Sequence, residues 1–325
     1  MALDPAVAAC RLRVRRALAE VEPGETVLVA CSGGADSLAL LAATVFEARK
    51  AGWRVIGATV DHGLQEGSAE RAAAVVAQMA ALGVDETASA RVTVEGAGLG
   101  PEAAARQARY DVLDRLAEHF SARVVLLGHT RDDQAETVLL GLARGSGGRS
   151  IAGMRRTYNR YRRPFLDVSR ADTRTACDAE GIEFWEDPHN DDPAFLRVRV
   201  RQSVMPVLEA ELGPGVAVSL ARTADLLRAD MEYLDALADT ALAEVSDADL
   251  TLGVPGLAAL PAPIRTRVLR LAALRAGALP ADLFHEHITG VERLVTEWHG
   301  QRGVDLPGHL TARRRDDRIV FEHSS

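Results

Sequence analysis

Apolar and polar positions change period repeatedly along the chain. The run Val27-Leu28-Val29-Ala30 stops at Cys31-Ser32-Gly33-Gly34-Ala35-Asp36-Ser37, and Leu38-Ala39-Leu40-Leu41-Ala42-Ala43 resumes with helical character. Short apolar runs bounded by turn residues predict strands over 26–31, 54–60, 90–94 and 123–128. Helical spacing between them predicts helices over 5–20, 36–50, 68–82, 101–119 and 132–143. Strands separated by single helices imply right-handed crossovers, hence an α/β fold with a parallel sheet covered on both faces. Beyond Pro206 the pattern changes to long Ala/Leu/Arg helices over 215–244 and 263–276, punctuated by Gly213-Pro214-Gly215 and Pro261-Ala262-Pro263. The expected organisation is a first domain over 1–205 and a smaller, mainly helical domain over 206–325, with a short hairpin between Val304 and Phe321.

Ligands of such sheets bind beyond the carboxyl ends of the strands. Three polar clusters fall there. In the loop from Ser32 to Ser37, the first N–H groups of the following helix carry partial positive charge and lack helical partners. Glycines allow close approach of an anion, and two serines add donors. No Gly-Lys-Ser/Thr is present, so this is not a Walker loop. Asp36 suits holding Mg²⁺ against a polyphosphate; the plainer reading is a helix cap. Asp61-His62 follows the second strand and suits either a ribose or base edge or, again, a cap and a satisfied loop histidine.

The third cluster is His129-Thr130-Arg131-Asp132-Asp133-Gln134-Ala135-Glu136. Asp132 and Glu136 at i,i+4, and Asp133 and Glu136 at i,i+3, share a helix face. Capping explains one acid there; the group together suits Mg²⁺ and the positioning or deprotonation of an amine. Earlier in the chain, Glu102, Arg106 and Arg109 share a helix face, whose plainer reading is an i,i+4 Glu–Arg pair on a solvated surface. Basic residues concentrate at Arg144, between Arg155 and Arg163 with Tyr158 and Tyr161 interleaved, at Arg197, Arg199 and Arg201, and at Arg313-Arg314-Arg315. Arginine mixed with tyrosine suits phosphates and unpaired bases; a solvated face is the plainer reading.

Composition narrows the class. At 47% hydrophobic and 4% aromatic, the 325 residues read as a globular protein with room for two domains. No apolar run approaches a membrane span and the first residues do not form a secretory signal, so the expectation is a cytoplasmic protein with no membrane partner. Net charge is −8, so overall charge does not attract a polyanion; any RNA contact must rest on local arginine faces. Cys10, Cys31 and Cys177 stand far apart, which disfavours a cysteine metal site or a redox dithiol. His285-Glu286-His287 has no third ligand nearby in sequence and reads as surface.

Ser32-Gly33-Gly34-Ala35-Asp36-Ser37 resembles the loop of the N-type ATP pyrophosphatases, the PP-loop enzymes. Within them, the ordered series Asp61-His62-Gly63-Leu64, Glu102…Arg106…Arg109-Tyr110, His129…Asp132-Asp133-Gln134-Ala135-Glu136-Thr137, Arg144-Gly145-Ser146-Gly147, Arg163-Pro164-Phe165-Leu166 and Glu186-Asp187-Pro188-His189-Asn190 is similar to the bacterial tRNA(Ile)-lysidine synthetase family. The resemblance spans about 24–210, and Leu306-Pro307-Gly308 resembles that family's C-terminal domain. Gln65, Ser150 and Val198 depart from its usual pattern.

The resemblance implies a Rossmann-like parallel sheet of the PP-loop ATPase type and ligation of free L-lysine to C2 of the wobble cytidine, C34, of tRNA(Ile) with a CAU anticodon, through an adenylated cytidine. It implies ATP as substrate, bound by Ser32, Gly33, Gly34, Ala35, Asp36, Ser37, Asp61 and His62, with Mg²⁺ on Asp36 and Asp132. Asp36, Arg109, His129, Asp132, Asp133 and Glu136 become catalytic or lysine-binding candidates, and Arg106, Arg144, Arg163, Arg197, Arg199 and Arg201 RNA contacts. A monomer or homodimer is expected. A tRNA thiolase is a rival, but it generally carries sulfur on paired or catalytic cysteines. An amidotransferase-type relative needs a source of ammonia, and no glutaminase segment is visible. A non-catalytic nucleotide-binding module leaves the acidic cluster and the arginine-rich segments unexplained.

Overall fold

The computed structural model describes residues 3–61, 67–92, 101–145, 147–187, 191–280 and 282–323, with backbone alone for 101–105. His62, Gly63, Leu64, Gln65, Ser146, Pro188, His189 and Asn190 of the sequence motifs lie outside the described residues, as do residues 93 and 94 of the strand expected over 90–94. The chain forms two compact units, one of residues 1–140 and 153–222, the other of 141–152 and 223–325.

The first unit runs α1 (Pro5–Ala17), β1 (Thr26–Ala30), α2 (Ala35–Ala51), β2 (Arg54–Asp61), α3 (Ser68–Leu82), β3 (Glu86–Arg91), α4 (Pro101–His119), β4 (Ala122–Leu126) and α5 (Arg131–Ala143). After α6 (Gly148–Ile151) come the two-residue strands β5 (Thr157–Tyr158) and β6 (Tyr161–Arg162), then α7 (Arg170–Glu180), α8 (Leu196–Arg199), a π-turn over Val200–Val204 and α9 (Met205–Glu211). The sheet order is β3-β2-β1-β4-β6-β5, parallel except for the antiparallel β5–β6 pair. Strand alternation feeds two cores. Val27, Val29, Val124 and Leu126 point to α1, α2 and α7, whereas Leu28, Val125 and Leu127 pack with Leu113 and Ala117 of α4. A parallel strand buried on both faces must be apolar throughout, which is why β1 and β4 were visible as continuous runs. The third strand lies earlier than expected, because its residues Thr87-Ala88-Ser89-Ala90 form a polar edge paired on one side, with β2.

The second unit holds α6, the part of α10 (Val216–Val245) from Thr223, then β7 (Leu252–Gly253), α11 (Val254–Ala259), α12 (Ala262–Arg275), α13 (His285–Thr296), β8 (Val304–Leu306), β9 (Leu310–Arg315) and β10 (Arg318–His323). The expected hairpin is the β9–β10 pair of a four-stranded antiparallel sheet, β7-β10-β9-β8, whose other members are two and three residues long. Leu242, Leu257, Val268, Leu269, Leu294, Leu310 and Ile319 form its core. The compact units part at 222 rather than at 205, since the pattern change near Pro206 marks a helix start inside the first unit. Segment 141–152 joins the second unit, where Arg149 pairs with Asp235 at 2.6 Å and Gly148 lies against Met231.

Among the described residues no single helix is long and apolar enough to cross a membrane.

Candidate active site

The loop after β1 is held in shape by its own serines. The Ser32 N–H donates to Ser37 Oγ (3.1 Å), and the Ser37 hydroxyl donates to the Gly34 carbonyl (2.9 Å). Gly33 has φ +85°, and a Cβ there would stand 2.6 Å from Val75 Cγ2, so glycine is required on both counts. Gly34 is the N-cap of α2 and supplies no side-chain cap, which leaves the helix mouth open to an anion. Ala35 and Ser37 are buried beneath it.

Asp36 stands in the first turn of α2. Its Oδ1 accepts the Thr173 hydroxyl, and its Oδ2 is 3.9 Å from Arg170 Nε. Burial, reinforced by the charges of Asp133 and Asp132 and opposed by Thr173 and Arg170, pushes its pKa up to about 6. Two carboxylates thus approach from α5. They can do so because the β4–α5 turn passes against the loop: a Cβ on Gly128 would meet the Asp36 and Ser37 backbone at 3.2 Å.

The α5 acids are organised by arginines. Asp132 Oδ2 accepts the Arg170 backbone N–H (2.8 Å). Asp133 accepts the Thr130 N–H and hydroxyl (2.8 and 2.9 Å) and pairs with Arg170 Nη2 (2.8 Å). Burial alone would raise the Asp133 pKa, but Arg170, His129 and the Thr130 donors outweigh it and hold it below the ordinary value. Glu136 is 1% exposed and sits among three guanidiniums, with Arg201 Nε at 2.8 Å, Arg170 at 3.3 Å and Arg197 Nε at 3.7 Å. Desolvation lowers the His129 pKa to about 4, so its ring is neutral at pH 7, and its buried Nδ1 has no hydrogen-bond partner among the described residues.

Arg197 and Arg201, expected to face RNA, therefore turn inward to Glu136, and Arg197 Nη2 also donates to Thr137 Oγ1 (2.9 Å). Arg199 instead caps the Pro193 and Ala194 carbonyls at 2.6 and 3.0 Å. Arg163 is 6% exposed and donates to the Arg155 carbonyl and the Tyr110 hydroxyl. Arg106 and Arg109 are exposed on α4, and Arg144 is exposed at the end of α5. Asp61 is buried at the end of β2, 3.7 Å from Arg91 Nε.

Arg170 and Thr173 were not singled out from the sequence, although they join Asp36 to the α5 acids. The available signal was the capping box Ser169…Asp172, which marks the helix start that presents both residues.

No group of three or more His, Cys, Asp or Glu side chains among the described residues is placed to hold a metal unaided. Asp36 and Asp132 nonetheless offer hard oxygen donors, the set Mg²⁺ uses when substrate phosphates complete its shell. A divalent cation would also offset the burial and the neighbouring carboxylates that raise the Asp36 pKa.

Residues 9–208 match the PP-loop domain family, and residues 252–320 match the TilS substrate binding domain. The tRNA(Ile)-lysidine synthase of Thermobifida fusca is 56% identical over 97% of both chains, and that of Streptomyces coelicolor 51% identical over 99% of both. The chain belongs to the tRNA(Ile)-lysidine synthase family. It is thus an ATP-using ligase of tRNA modification, and the PP-loop, the Asp132-Asp133 pair and Glu136 lie in the family's PP-loop domain. The U34-tRNA thiolase NcsA from Methanococcus maripaludis, solved with its [4Fe-4S] cluster, shares the fold at 17% identity and a TM-score of 0.56, over 69% of this chain and 80% of that one. Family membership accords with the cysteines: burial pushes Cys10 and Cys177 to about 12 and raises Cys31, so none is a thiolate at neutral pH.

Proposed function

We propose that the chain joins the ε-amine of free lysine to C2 of the wobble cytidine of tRNA(Ile) with a CAU anticodon, through an adenylated cytidine, releasing AMP and pyrophosphate. The observation that carries this reading is the meeting of two machineries at one sheet rim. An open, glycine-lined helix mouth at Gly34 faces an acidic cluster whose charges reach Asp36.

The first step needs a leaving group. The cytosine O2 attacks the α-phosphorus of ATP, the bond to the β-phosphate oxygen breaks, and pyrophosphate leaves into the N–H donors after Gly34. Asp36 and Asp132 would hold Mg²⁺, which neutralises phosphate charge when bound. In the second step the lysine nitrogen attacks C2 and the C2–O2 bond breaks, so that O2 departs with AMP. Free lysine is protonated at neutral pH, with a pKa of roughly 10.4. Asp133 and Glu136, which pair with Arg170, Arg197 and Arg201, hold that ammonium. A carboxylate of the pair takes one ammonium proton as the nitrogen approaches C2, which frees the lone pair that attacks, and the C2-bound nitrogen, now strongly acidic, then gives up a second proton. His129, neutral, adds a hydrogen-bonding site and no positive charge. The arginines around Glu136 therefore act as counter-ions for the acids.

Mass analysis of the anticodon nucleosides after incubation with ATP, Mg²⁺, lysine and CAU tRNA tests the reaction; unmodified cytidine overturns it. Asp132→Asn separates the roles at the α5 helix. Loss of the adenylated intermediate places Asp132 with the metal and phosphates, whereas accumulation of that intermediate moves it to the lysine step.

A further inference from the structure

One peptide of the phosphate loop is not fixed by its own residues. The Gly33–Gly34 peptide has glycine on both sides, and turning its plane changes only the Gly33 ψ and the Gly34 φ, which no Cβ restricts. In a trans peptide the C=O and the N–H point in opposite directions. One orientation therefore offers the Gly34 N–H to a phosphate at the helix mouth. The other presents the Gly33 carbonyl, which repels it.

The plane is set from outside the loop. The Trp185 N–H donates to the Gly33 carbonyl (3.0 Å), which turns that carbonyl toward the segment Ile182–Trp185 and the Gly34 N–H away from it. Trp185 is itself gripped. Arg71 Cζ lies 3.9 Å from its ring centroid. Arg71, Val75 and Gln78 share a face of α3. Val75 stands against Gly33, and Gln78 Nε2 donates to the Glu183 carbonyl (2.8 Å). From α7, the Cys177 carbonyl accepts the Ile182 N–H (2.8 Å), and Arg174 Cζ lies 4.9 Å from the Phe184 ring centroid. The same helix holds the next loop residues: Cys177 Sγ donates to the Ala35 carbonyl (3.4 Å), and Thr173 to Asp36.

We infer that Trp185 is a positioning residue for the ATP-using step: clamped by Arg71, it fixes the Gly33–Gly34 peptide in the orientation that gives an N–H to pyrophosphate. The inference rests on the preceding reading of this loop as the pyrophosphate site and assigns the residue outside the loop that shapes it.

Calorimetric titration with pyrophosphate and Mg²⁺, beside steady-state kinetics, tests it. Trp185→Ala raises the Kd for pyrophosphate and the KM for ATP about fivefold, the factor of one net hydrogen bond whose loss lets a competing orientation fill. The KM for lysine, the KM for tRNA and kcat stay within about twofold of wild type. Trp185→Phe, which keeps a ring against Arg71, restores both constants. Arg71→Met removes the stack from its other side, gives the same loss, and adds nothing to Trp185→Ala, because both changes undo one contact. Gly34→Ala supplies a second cycle. A Cβ there meets only ordinary contacts, at 3.8 and 3.9 Å. Gly34 has φ −81°, but the flipped peptide needs a positive φ, which alanine resists. The loss on Trp185→Ala is therefore smaller in the Gly34→Ala background than in the wild type. Constants within about twofold of wild type for both Trp185→Ala and Arg71→Met overturn the inference, as does a loss of equal size in the two backgrounds. Pyrophosphate bound by the wild type beside either result leaves the preceding reading intact. No binding by the wild type overturns the pyrophosphate reading of the loop and the inference with it.

Discussion

Replacing Asp36 by Asn removes a charge that the folded protein holds at a disadvantage, and the consequence is calculable. The side chain is 27% exposed, and its pKa rises from 3.8 to about 6 on folding. At ~1.4 kcal/mol per pH unit, the ionised carboxylate weakens the apo protein by about 3 kcal/mol, and partial screening trims this to roughly 2–3 kcal/mol. The sign follows from proton linkage. Below the unfolded pKa both states are protonated and no penalty exists. Between about pH 4 and 6 the unfolded chain gives up its proton first, so stability falls as pH rises, and above the folded pKa the full penalty is present. Asp36→Asn should therefore match wild type near pH 4 and exceed it by roughly 2–3 kcal/mol at pH 7.5, while losing ATP-dependent activity. Urea unfolding read by tryptophan fluorescence in a Trp298→Phe background reports the first unit alone, through Trp53 and Trp185. Equal stability at pH 7.5, or a gain that does not vary with pH, refutes the reasoning.

Other consequences follow from the same geometry. Arg170→Met leaves Asp133 and the buried Glu136 short of one cation and should destabilise the first unit by roughly 3 kcal/mol in urea unfolding; Arg170→Lys should not restore it, since one ammonium cannot take the place of a fork reaching two carboxylates. Gly33→Ala should lower the melting temperature and raise the KM for ATP, and adding Val75→Ala should recover part of the loss, because it removes the clash and leaves the φ strain; an unchanged KM for ATP would remove the loop from phosphate binding. His129 should titrate by NMR near pH 4, not near its ordinary 6.5, and its contribution to stability, full above about pH 6.5, should decline as pH falls toward 4.

The strand–loop–helix around Ser32–Ser37 was legible because everything that makes it is local: an apolar run, two glycines and a helical period lie within 20 residues. The same holds for Asp132, Asp133 and Glu136, whose shared helix face is set by a 3.6-residue period. The edge strand β3 and the short strands of the second unit were misplaced or missed because a polar or two-residue strand exists through its pairing, which lies outside its own sequence. The boundary at 222 was hidden for a related reason: packing, and not composition, assigns 141–152 and the start of α10. The destinations of side chains were decided in space. An arginine carries no mark of its partner, so the contacts of Arg197 and Arg201 with Glu136 were not visible in the sequence, and Arg170 drew no notice although it bridges Asp36, Asp133 and Glu136. Periodicity encodes which face of an element is buried; which charge meets which is fixed when elements distant in sequence arrive at one rim, where low dielectric makes each unpaired charge expensive.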